Sequence, residues 1–451
     1  MRLSQTTLFF LISCFSFSQD SFNIRLFDHW NDPNIIPSEA HNNKYNEVWG
    51  FTQKNIEYGV IGSTAGTHIF DVNNPWDIKL VSFIPGETQG KKIIHRDFHD
   101  YKNYLYIVAD ENDLASGDTS KLKIVDLSYL PDSTPTVFNS ASFFTRAHNI
   151  YIDSSSAKLF VCGGDNNPGV RIFSLENPIL PDEIGSIFVE SGVHDILVKN
   201  DTAYLNAGID GLLIYEVSNA ENPQLLASLN EYSQQGYNHS GWISENGTTY
   251  VLADETHNMD LKILDISDLS NIIVVDTIDT ELDIPFTIPH NVMINGNYAF
   301  VSYYFDGLYI FNIEDPENSF ISGYYKTSSS IHAANKYEGN WGVYSLLPSG
   351  TVLASDMQNG FFVLDVDNAI GISRANHNRL NIYPNPVKDV VYLSSSNNFQ
   401  FSLYTLEGKQ ILSGSAVNKI SIGEQLINGI YFLRLTNEKE YYVKKIIVNS
   451  N

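Results

Sequence analysis

Short runs of alternating apolar and polar residues, separated by turn residues, dominate this chain. The stretch Pro289–Tyr325 shows the pattern best, since it holds four such runs. Asn295-Gly296-Asn297 and Asp306-Gly307 are hairpin turn signals, and Pro316 interrupts the ladder because it has no N–H to donate. The pattern predicts a four-stranded antiparallel sheet. Its strands are expected to begin at His290, Tyr298, Leu308 and Phe320.

The third run of this stretch recurs six more times along the chain. Consecutive copies lie about 45 to 50 residues apart, the period of a four-stranded propeller blade. One such sheet cannot bury both of its faces, whereas a ring of sheets can. We therefore predict an all-β chain with a seven-bladed β-propeller over residues 20–366. The copies are His68–Val72, Leu122–Leu127, Val170–Leu175, Leu213–Val217, Leu261–Ile266 and Phe361–Val366.

The two ends of the propeller segment indicate how the ring of sheets closes. Phe22–Trp30 resembles a fourth strand, and the last repeat lacks a convincing one. We expect this N-terminal segment to complete the seventh blade, which would remove two exposed sheet edges. Residues 367–379 form a polar linker. Residues 380–451 return to short alternating runs with turns at Glu407-Gly408 and Asn428-Gly429, and they predict a small C-terminal β-sandwich.

The first 19 residues have the features of a signal peptide. Arg2 precedes an apolar core, Leu8–Phe17, and Ser18-Gln19 offers a small-residue exit. The core is too short to span a bilayer as a helix, and no transmembrane segment is expected in the mature chain. Lipoprotein cleavage at Cys14 is the alternative to cleavage near Gln19, which we favour. Cys162 then remains the only cysteine, expected as a buried small hydrophobe.

Composition narrows the classes of partner. The 451 residues carry a net charge of −25, which argues against nucleic acid because phosphates would be repelled. This charge is compatible with solubility or with loosely held divalent cations. Aromatic residues make up 13% and charged residues only 18%, as expected for a large strand-rich fold with much buried surface.

The C-terminal module resembles the type IX secretion C-terminal sorting domain of the Bacteroidetes. The residues that carry the resemblance are Tyr383-Pro384-Asn385-Pro386, Leu403-Tyr404, Gly429–Tyr431 and Val443–Ile446. The resemblance implies that residues 380–451 are handled by the type IX secretion machinery. It also implies export through the outer membrane, removal of the module, and release or anchoring at the cell surface.

The propeller resembles the choice-of-anchor B family, which is built of LVIVD-type repeats. The resemblance implies an architecture and a surface address, but no established reaction. The chain departs from the family at His95, where a tryptophan is expected. The supporting residues include Glu47–Gly50, Arg96-Asp97, Ala147–Asn149, Val193–Asp195, His239–Trp242, Pro289–Asn291 and Trp341-Gly342.

The aligned repeats place polar residues around one opening. The first strand of a propeller blade lines the central channel, and the second strand ends at the same face, so both bring side chains to one mouth. The first strands begin with Asn46-Glu47, Arg96-Asp97, His148-Asn149, His194-Asp195, His239-Ser240 and His290-Asn291, while the seventh has Trp341-Gly342. The second strands end at Asp110-Glu111, Asp165, Asp210, Asp254-Glu255, Asp306 and Asp356.

This mouth has two interpretations. Imidazole with carboxylate suits zinc, manganese or iron, which makes a divalent metal a candidate cofactor. Alternatively, each His–Asx pair satisfies buried polar groups of its own and neighbouring blades. Repetition in nearly every blade favours the structural interpretation, because one metal needs only three or four ligands. The candidate metal ligands are His148, His194, His239, His290, Asp110, Glu111, Asp254 and Glu255; the candidate ligand-binding residues are Arg96, Asp97, His148, Asn149, His194, Asp195, His239, His290 and Asn291.

Three functions remain open at this level. The first is a secreted or surface-displayed binding propeller with an unknown extracellular ligand at the mouth. The second is a metal-dependent hydrolase or lyase that uses the same mouth. The third is a purely structural surface protein. The chain has no GxSxG, phosphate-loop, HExxH or paired CxxC pattern, and this favours binding over catalysis.

Overall fold

A computed structural model describes residues 21–110, 119–165, 167–371, 382–394, 398–406, 408–422, 426–437 and 441–449. The chain divides into two compact units, residues 1–371 and 372–451. Within the described residues, regular structure is almost entirely β, with a single 3-10 turn at Leu127–Tyr129. No helix in that part of the chain has the length and apolar character needed to cross a membrane. The predicted signal peptide and Glu111 lie outside the described residues.

The first unit is a series of antiparallel sheets, seven of them in the described residues, each with four or five strands. Two N-terminal strands, β1 (Ser21–Phe22) and β2 (Arg25–Trp30), pair with strands far along the chain. The first three sheets are β3 (Tyr45–Gln53), β4 (Ile56–Ser63), β5 (Gly66–Asp71) and β6 (Lys79–Pro85); β7 (Arg96–Tyr101), β8 (Tyr104–Ala109), β9 (Leu122–Asp126) and β10 (Thr136–Ser140); and β11 (Asn149–Asp153), β12 (Lys158–Gly164), β13 (Asn167–Ser174) and β14 (Asp182–Ile187). The next two are β15 (Asp195–Lys199), β16 (Thr202–Asn206), β17 (Leu212–Glu216) and β18 (Gln224–Leu229); and β19 (Asn238–Ile243), β20 (Thr249–Asp254), β21 (Leu261–Asp265) and β22 (Ile273–Ile278). The last two are β23 (Val292–Asn295), β24 (Tyr298–Tyr303), β25 (Gly307–Asn312) and β26 (Phe320–Tyr325) with β1; and β27 (Asn340–Tyr344), β28 (Val352–Asp356) and β29 (Gly360–Asp365) with β2.

The first strands of these sheets contact one another in sequence. Strand β3 contacts β7, the contacts continue through β11, β15, β19, β23 and β27, and β27 returns to β3. The apolar core lies between neighbouring sheets, because each sheet buries a face against the next. Phe51 and Phe98 share one such cluster, for example, and Tyr45 and Phe361 share the cluster that joins the last sheet to the first.

The N-terminal strand closes the last sheet, as predicted. Strand β2 pairs antiparallel with β29 from Arg25 opposite Asp365 to Trp30 opposite Phe361, and an ion pair joins Arg25 to Asp365. The segment is split, however, because β1 pairs with β26 of the preceding sheet. Asn23, with a φ of 57°, lies between the two strands and lets the chain change sheets.

The second unit consists of two antiparallel sheets around one apolar core. The core includes Val391, Leu403, Leu433 and Ile446, all fully buried. The smaller sheet contains β30 (Ile382–Tyr383), β31 (Val390–Leu393) and β34 (Lys419–Ser421), and the larger contains β33 (Gln410–Ala416), β32 (Phe399–Tyr404), β35 (Gly429–Thr436) and β36 (Tyr441–Val448).

Candidate functional site

The same backbone hydrogen bond positions several of the mouth histidines. The N–H of His148, His194 and His290, each just before its first strand, donates to a second-strand carbonyl at 2.9 to 3.0 Å. In each of two other sheets, a shift of register leaves one residue outside the strand pairing. This residue is His239, between Asn238 and Ser240, in one sheet and Trp341 in the last sheet. Such bulges redirect a side chain out of the regular ladder.

The result is a closed ring of six aromatic side chains, which we call the histidine ring: His95, His148, His194, His239, His290 and Trp341. Neighbouring ring centroids lie 4.5 Å (His95–His148), 4.2 Å (His148–His194), 3.8 Å (His194–His239), 4.2 Å (His239–His290), 4.8 Å (His290–Trp341) and 5.5 Å (Trp341–His95) apart. All four histidines predicted as metal ligands therefore converge at one opening.

A polar layer lies next to the histidine ring and lines the same cavity. It consists of Glu47, Asn149, Asp195 and Asn291. The Asn291 amide donates to Glu47 Oε2 at 2.6 Å, and the Asp195 carboxylate accepts from the Ile196 N–H at 2.7 Å. The same four side chains also line a neighbouring channel, so the two cavities share this layer.

Aromatic side chains and one acid lie beside the ring. The Tyr304 ring packs 4.7 Å from His290, and Tyr237 packs edge-on against His194 at 5.8 Å. The Tyr304 hydroxyl donates to Glu255 Oε1 at 2.6 Å. This bond fixes the Glu255 carboxylate, whose other oxygen, Oε2, lies 3.7 Å from His239 Nε2.

His194, His239 and Glu255 form the one cluster with metal-ligand geometry found among the described residues. One ligand atom from each lies within 4.8 Å of the other two. His239 is nearly fully buried, and Nδ1 of both His194 and His239 lacks a hydrogen-bond partner in the described part of the chain. Three ligands with space toward a mouth are the pattern of catalytic or exchangeable metal sites.

The other predicted ligands are engaged elsewhere. Asp254 is fully buried beside Lys262, with Oδ2 2.7 Å from Nζ, and it also accepts from the Tyr232 hydroxyl at 2.8 Å. The His290 Nδ1–H donates to the Trp341 carbonyl at 2.5 Å. Asp254 is therefore a buried partner of Lys262 and Tyr232, whereas its neighbour in sequence, Glu255, reaches the mouth.

Asp110 and His148 form a hydrogen-bonded pair at the opening. His148 Nδ1 lies 2.7 Å from Asp110 Oδ2, and both side chains are 22% exposed. Burial opposes protonation of His148, but the bond to Asp110 and the charges of Asp110, Asp195 and Glu255 outweigh it and raise its pKa. His148 is thus the ring member that most readily carries a proton.

The remaining histidines of the ring are held neutral. Burial lowers the pKa of His95 and His290 to about 3, and the neighbouring His148 adds to the effect in both cases. Burial, followed by the other imidazoles, places the pKa of His194 and His239 well below the usual value. Neutral imidazole is the form that binds metal ions and accepts hydrogen bonds.

Burial acts in the opposite direction on the acids. It raises the pKa of Glu47 and Glu255 to about 7 and that of Asp195 to about 6. The pKa of Asp97, which lines the channel and accepts from the Ile150 N–H at 2.7 Å, is raised well above its usual value for the same reason. Burial thus favours the protonated form of all four acids, and Glu47 and Glu255 are the two whose pKa lies near neutral pH.

The second sheet departs from the predicted alignment. Arg96, expected at the mouth, is buried and donates to the carbonyls of Ser63 at 2.8 Å and Thr88 at 2.6 Å. His95, one residue earlier, takes the position in the ring. Sequence reasoning therefore missed His95 as a site residue, although its departure from the expected tryptophan was the available signal. Glu47 and Trp341 were recognised as members of the mouth but not as site residues.

Comparison with solved structures defines the class of protein as a β-propeller. A protein from Lactobacillus plantarum aligns with a TM-score of 0.53 and 12% identity over 83% of this chain and 96% of that one. The WD40 β-propeller domain of Doa1 aligns with a TM-score of 0.51 and 10% identity over 76% of this chain and 96% of that domain. At these identities the similarity shows the fold alone.

A family match identifies the C-terminal unit. Residues 381–449 match the secretion system C-terminal sorting domain. The prediction of a type IX sorting domain is thus confirmed, and the domain implies secretion by that machinery, with release or attachment at the outer-membrane surface. The comparison with curated proteins finds no significant match.

Proposed function

We propose that this chain is an exported seven-bladed propeller of the LVIVD-repeat, choice-of-anchor B type that binds a small polar ligand at the histidine ring. In this proposal the closed contact circuit of first strands is the seven-bladed body, and the two-sheet C-terminal unit is a sorting sandwich. The observation that carries the binding function is the convergence of five imidazoles and a tryptophan on one opening, where Nδ1 of His194 and of His239 has no partner among the described residues.

The charges at the mouth restrict the ligand. Asp110, Glu255, Glu47 and Asp195 all lie at or beside the histidine ring, and no lysine or arginine lines its cavity among the described residues. An anionic ligand would meet these acids, and the one ring imidazole that readily carries a proton, His148, is already paired with Asp110. The proposed ligand is therefore a neutral polyhydroxylated molecule or a small cation, hydrogen-bonded by imidazole, amide and carboxyl groups.

Native mass spectrometry of the exported protein, purified from its producing cells, tests this proposal. We expect a bound small molecule in the native protein, or saturable binding within a panel of monosaccharides and polyamines. Asn149→Ala should abolish binding without loss of stability, because Asn149 Oδ1 has no partner among the described residues. Asn139→Ala, an exposed amide on an outer strand, is the control and should bind normally. Absence of any ligand, or equal binding by Asn149→Ala, would refute the proposal.

A metal-dependent hydrolase is a second candidate, favoured by one observation. His148, paired with Asp110, lies with its ring 4.2 Å from that of His194 and could act as a general base beside a metal-activated water. Turnover of aryl glycosides or phosphoesters that His148→Gln and Asp110→Asn both abolish would favour this candidate. Ligand binding without turnover on such a panel would favour the binding protein.

A further inference from the structure

We propose that His194, His239 and Glu255 bind one divalent transition-metal ion, of the zinc or manganese class, at the histidine ring. The proposal deepens the binding function proposed above. It assigns the metal to three of the many acidic and imidazole side chains around the mouth, and it leaves coordination positions open toward the cavity for the ligand or for water.

The first argument is the spacing of the ligand atoms. His239 Nε2 and Glu255 Oε2 lie 3.7 Å apart, which is too long for a hydrogen bond. A tetrahedral ion with bonds of about 2.1 Å holds its ligand atoms about 3.4 Å apart. The His194 ring, 3.8 Å from that of His239, brings the third ligand atom within 4.8 Å of both others. The spacing thus matches two ligands of one ion better than a direct contact.

The second argument is the lack of other partners. The His239 side chain is 4% exposed, yet its Nδ1 has no hydrogen-bond partner in the described residues, and neither has Nδ1 of His194. A buried polar atom without a partner costs about 1 to 3 kcal/mol. Because Nε2, and not Nδ1, of His239 faces Glu255, a bound ion would give a partner to the unpaired Nδ1 of His194 only.

The third argument is the support around the carboxylate. The Tyr304 hydroxyl donates to Glu255 Oε1 at 2.6 Å, and the Glu255 N–H donates to the Tyr237 carbonyl at 2.8 Å. These bonds orient Oε2 toward His239. Metal-bound carboxylates are commonly held in this way by an outer shell of hydrogen bonds.

Asp254 is excluded as a ligand because it pairs with the buried Lys262. His148 and His290 use Nδ1 for Asp110 and the Trp341 carbonyl, and neither belongs to the cluster whose ligand atoms lie within 4.8 Å of one another. Two imidazoles and one carboxylate suit zinc, manganese, iron or nickel, whereas calcium and magnesium prefer all-oxygen sites. The expected selectivity is therefore Zn²⁺ or Mn²⁺ over Ca²⁺.

The test is metal binding by the full chain, stripped with chelator and titrated with Zn²⁺ or Mn²⁺ by calorimetry and elemental analysis. We expect one equivalent per chain and no competition from Ca²⁺. His239→Asn and Glu255→Gln should each weaken binding by more than about 100-fold, since outer-shell partners alone are worth about 10- to 100-fold. Tyr304→Phe should weaken metal binding by about 10-fold or more, because it removes the outer-shell hydrogen bond to Glu255.

Two controls make the outcome decisive. His257→Asn alters a half-buried histidine of the same connection whose Nε2 has no partner among the described residues, and Glu245→Gln alters an exposed acid elsewhere. Both should bind metal normally, and the melting temperatures of all metal-free variants should show that they fold. Binding of less than one equivalent by the native chain, or equal loss in His257→Asn, would overturn the assignment. A native chain that binds a polyol or amine but no metal would overturn only this inference, whereas metal binding without such a ligand would overturn only the proposed function.

Discussion

The buried pair Lys262–Asp254 gives the sharpest prediction about stability. Both side chains are 0% exposed, and Nζ of Lys262 lies 2.7 Å from Asp254 Oδ2. The Lys262→Met substitution removes the cation and leaves the carboxylate with two hydrogen bonds, from the Tyr232 hydroxyl and the Gly236 N–H. Removing one partner of a buried ion pair costs about 3 to 5 kcal/mol, because the remaining charge is left without compensation.

This free energy converts into a measurable shift. Unfolding entropy is about 2.1 cal/mol/K per residue, so a propeller of roughly 350 residues has an unfolding entropy of about 0.7 kcal/mol/K. A loss of about 3 to 5 kcal/mol then lowers the melting temperature by about 4 to 7 °C. Calorimetry or circular dichroism during heating resolves such a shift.

Two variants complete the experiment. The double variant Lys262→Met with Asp254→Asn should recover part of the lost stability, because the neutral amide removes the uncompensated charge and its oxygen still offers an acceptor to Tyr232 and Gly236. Lys79→Met breaks an exposed pair with Asp77, whose side chains are 63% and 62% exposed, and should cost less than about 1 kcal/mol. A melting temperature for Lys262→Met within about 1 °C of the native protein would refute the reasoning, and so would a double variant no more stable than the single one. Either result would restore Asp254 as a candidate metal ligand.

Three further predictions concern the N-terminal strand that closes the last sheet, the buried Cys162 thiol and the Glu47 carboxyl group. Deletion of residues 20–32 should unfold or aggregate the propeller, since it removes the strand that pairs with Gly360–Asp365; an unchanged melting profile would contradict this. Cys162 is fully buried and burial raises its thiol pKa, so it should not react with a thiol reagent until the protein is denatured; rapid reaction in the native state would show that the site opens. Burial raises the pKa of Glu47 to about 7 from 4.5, so its contribution to stability is complete below pH 4.5 and is lost as pH rises through about 7. Between about pH 5 and about pH 8 the native protein should lose up to about 3 kcal/mol relative to Glu47→Gln in urea unfolding; parallel pH profiles would contradict this.

Much of the fold could be predicted from local sequence patterns. Strand and turn signals repeat along the chain, and the predicted pairing of the N-terminal segment with the last repeat is confirmed by Arg25–Trp30. The propeller fold is supported by the structural neighbours, and the sorting domain by the family match. The split between Ser21–Phe22 and the following strand could not be predicted, because side-chain periodicity does not show where a strand changes its partner; the change occurs at Asn23, which has a φ of 57°.

The candidate site could be predicted only in part from the sequence. The repeats correctly indicated that His148, His194, His239 and His290 would meet at one opening. They placed Arg96 there as well, whereas the carbonyls of Ser63 and Thr88 hold its guanidinium away from the mouth. The repeat pattern alone does not show a one-residue shift of this kind, and the departure at His95 from the expected tryptophan was the one signal of it.

By itself, the sequence determined the repeated sheets, the side of the sheets on which the imidazoles gather, and the export module, because these follow from periodicity and local motifs. Tertiary structure alone decided which of two adjacent acids reaches the mouth: Lys262 retains Asp254 inside its sheet, and Tyr304 holds Glu255 beside His239. The physical reason is competition for partners. Each buried charge or polar atom goes to the group that compensates it best, and those groups come from strands far apart in the chain.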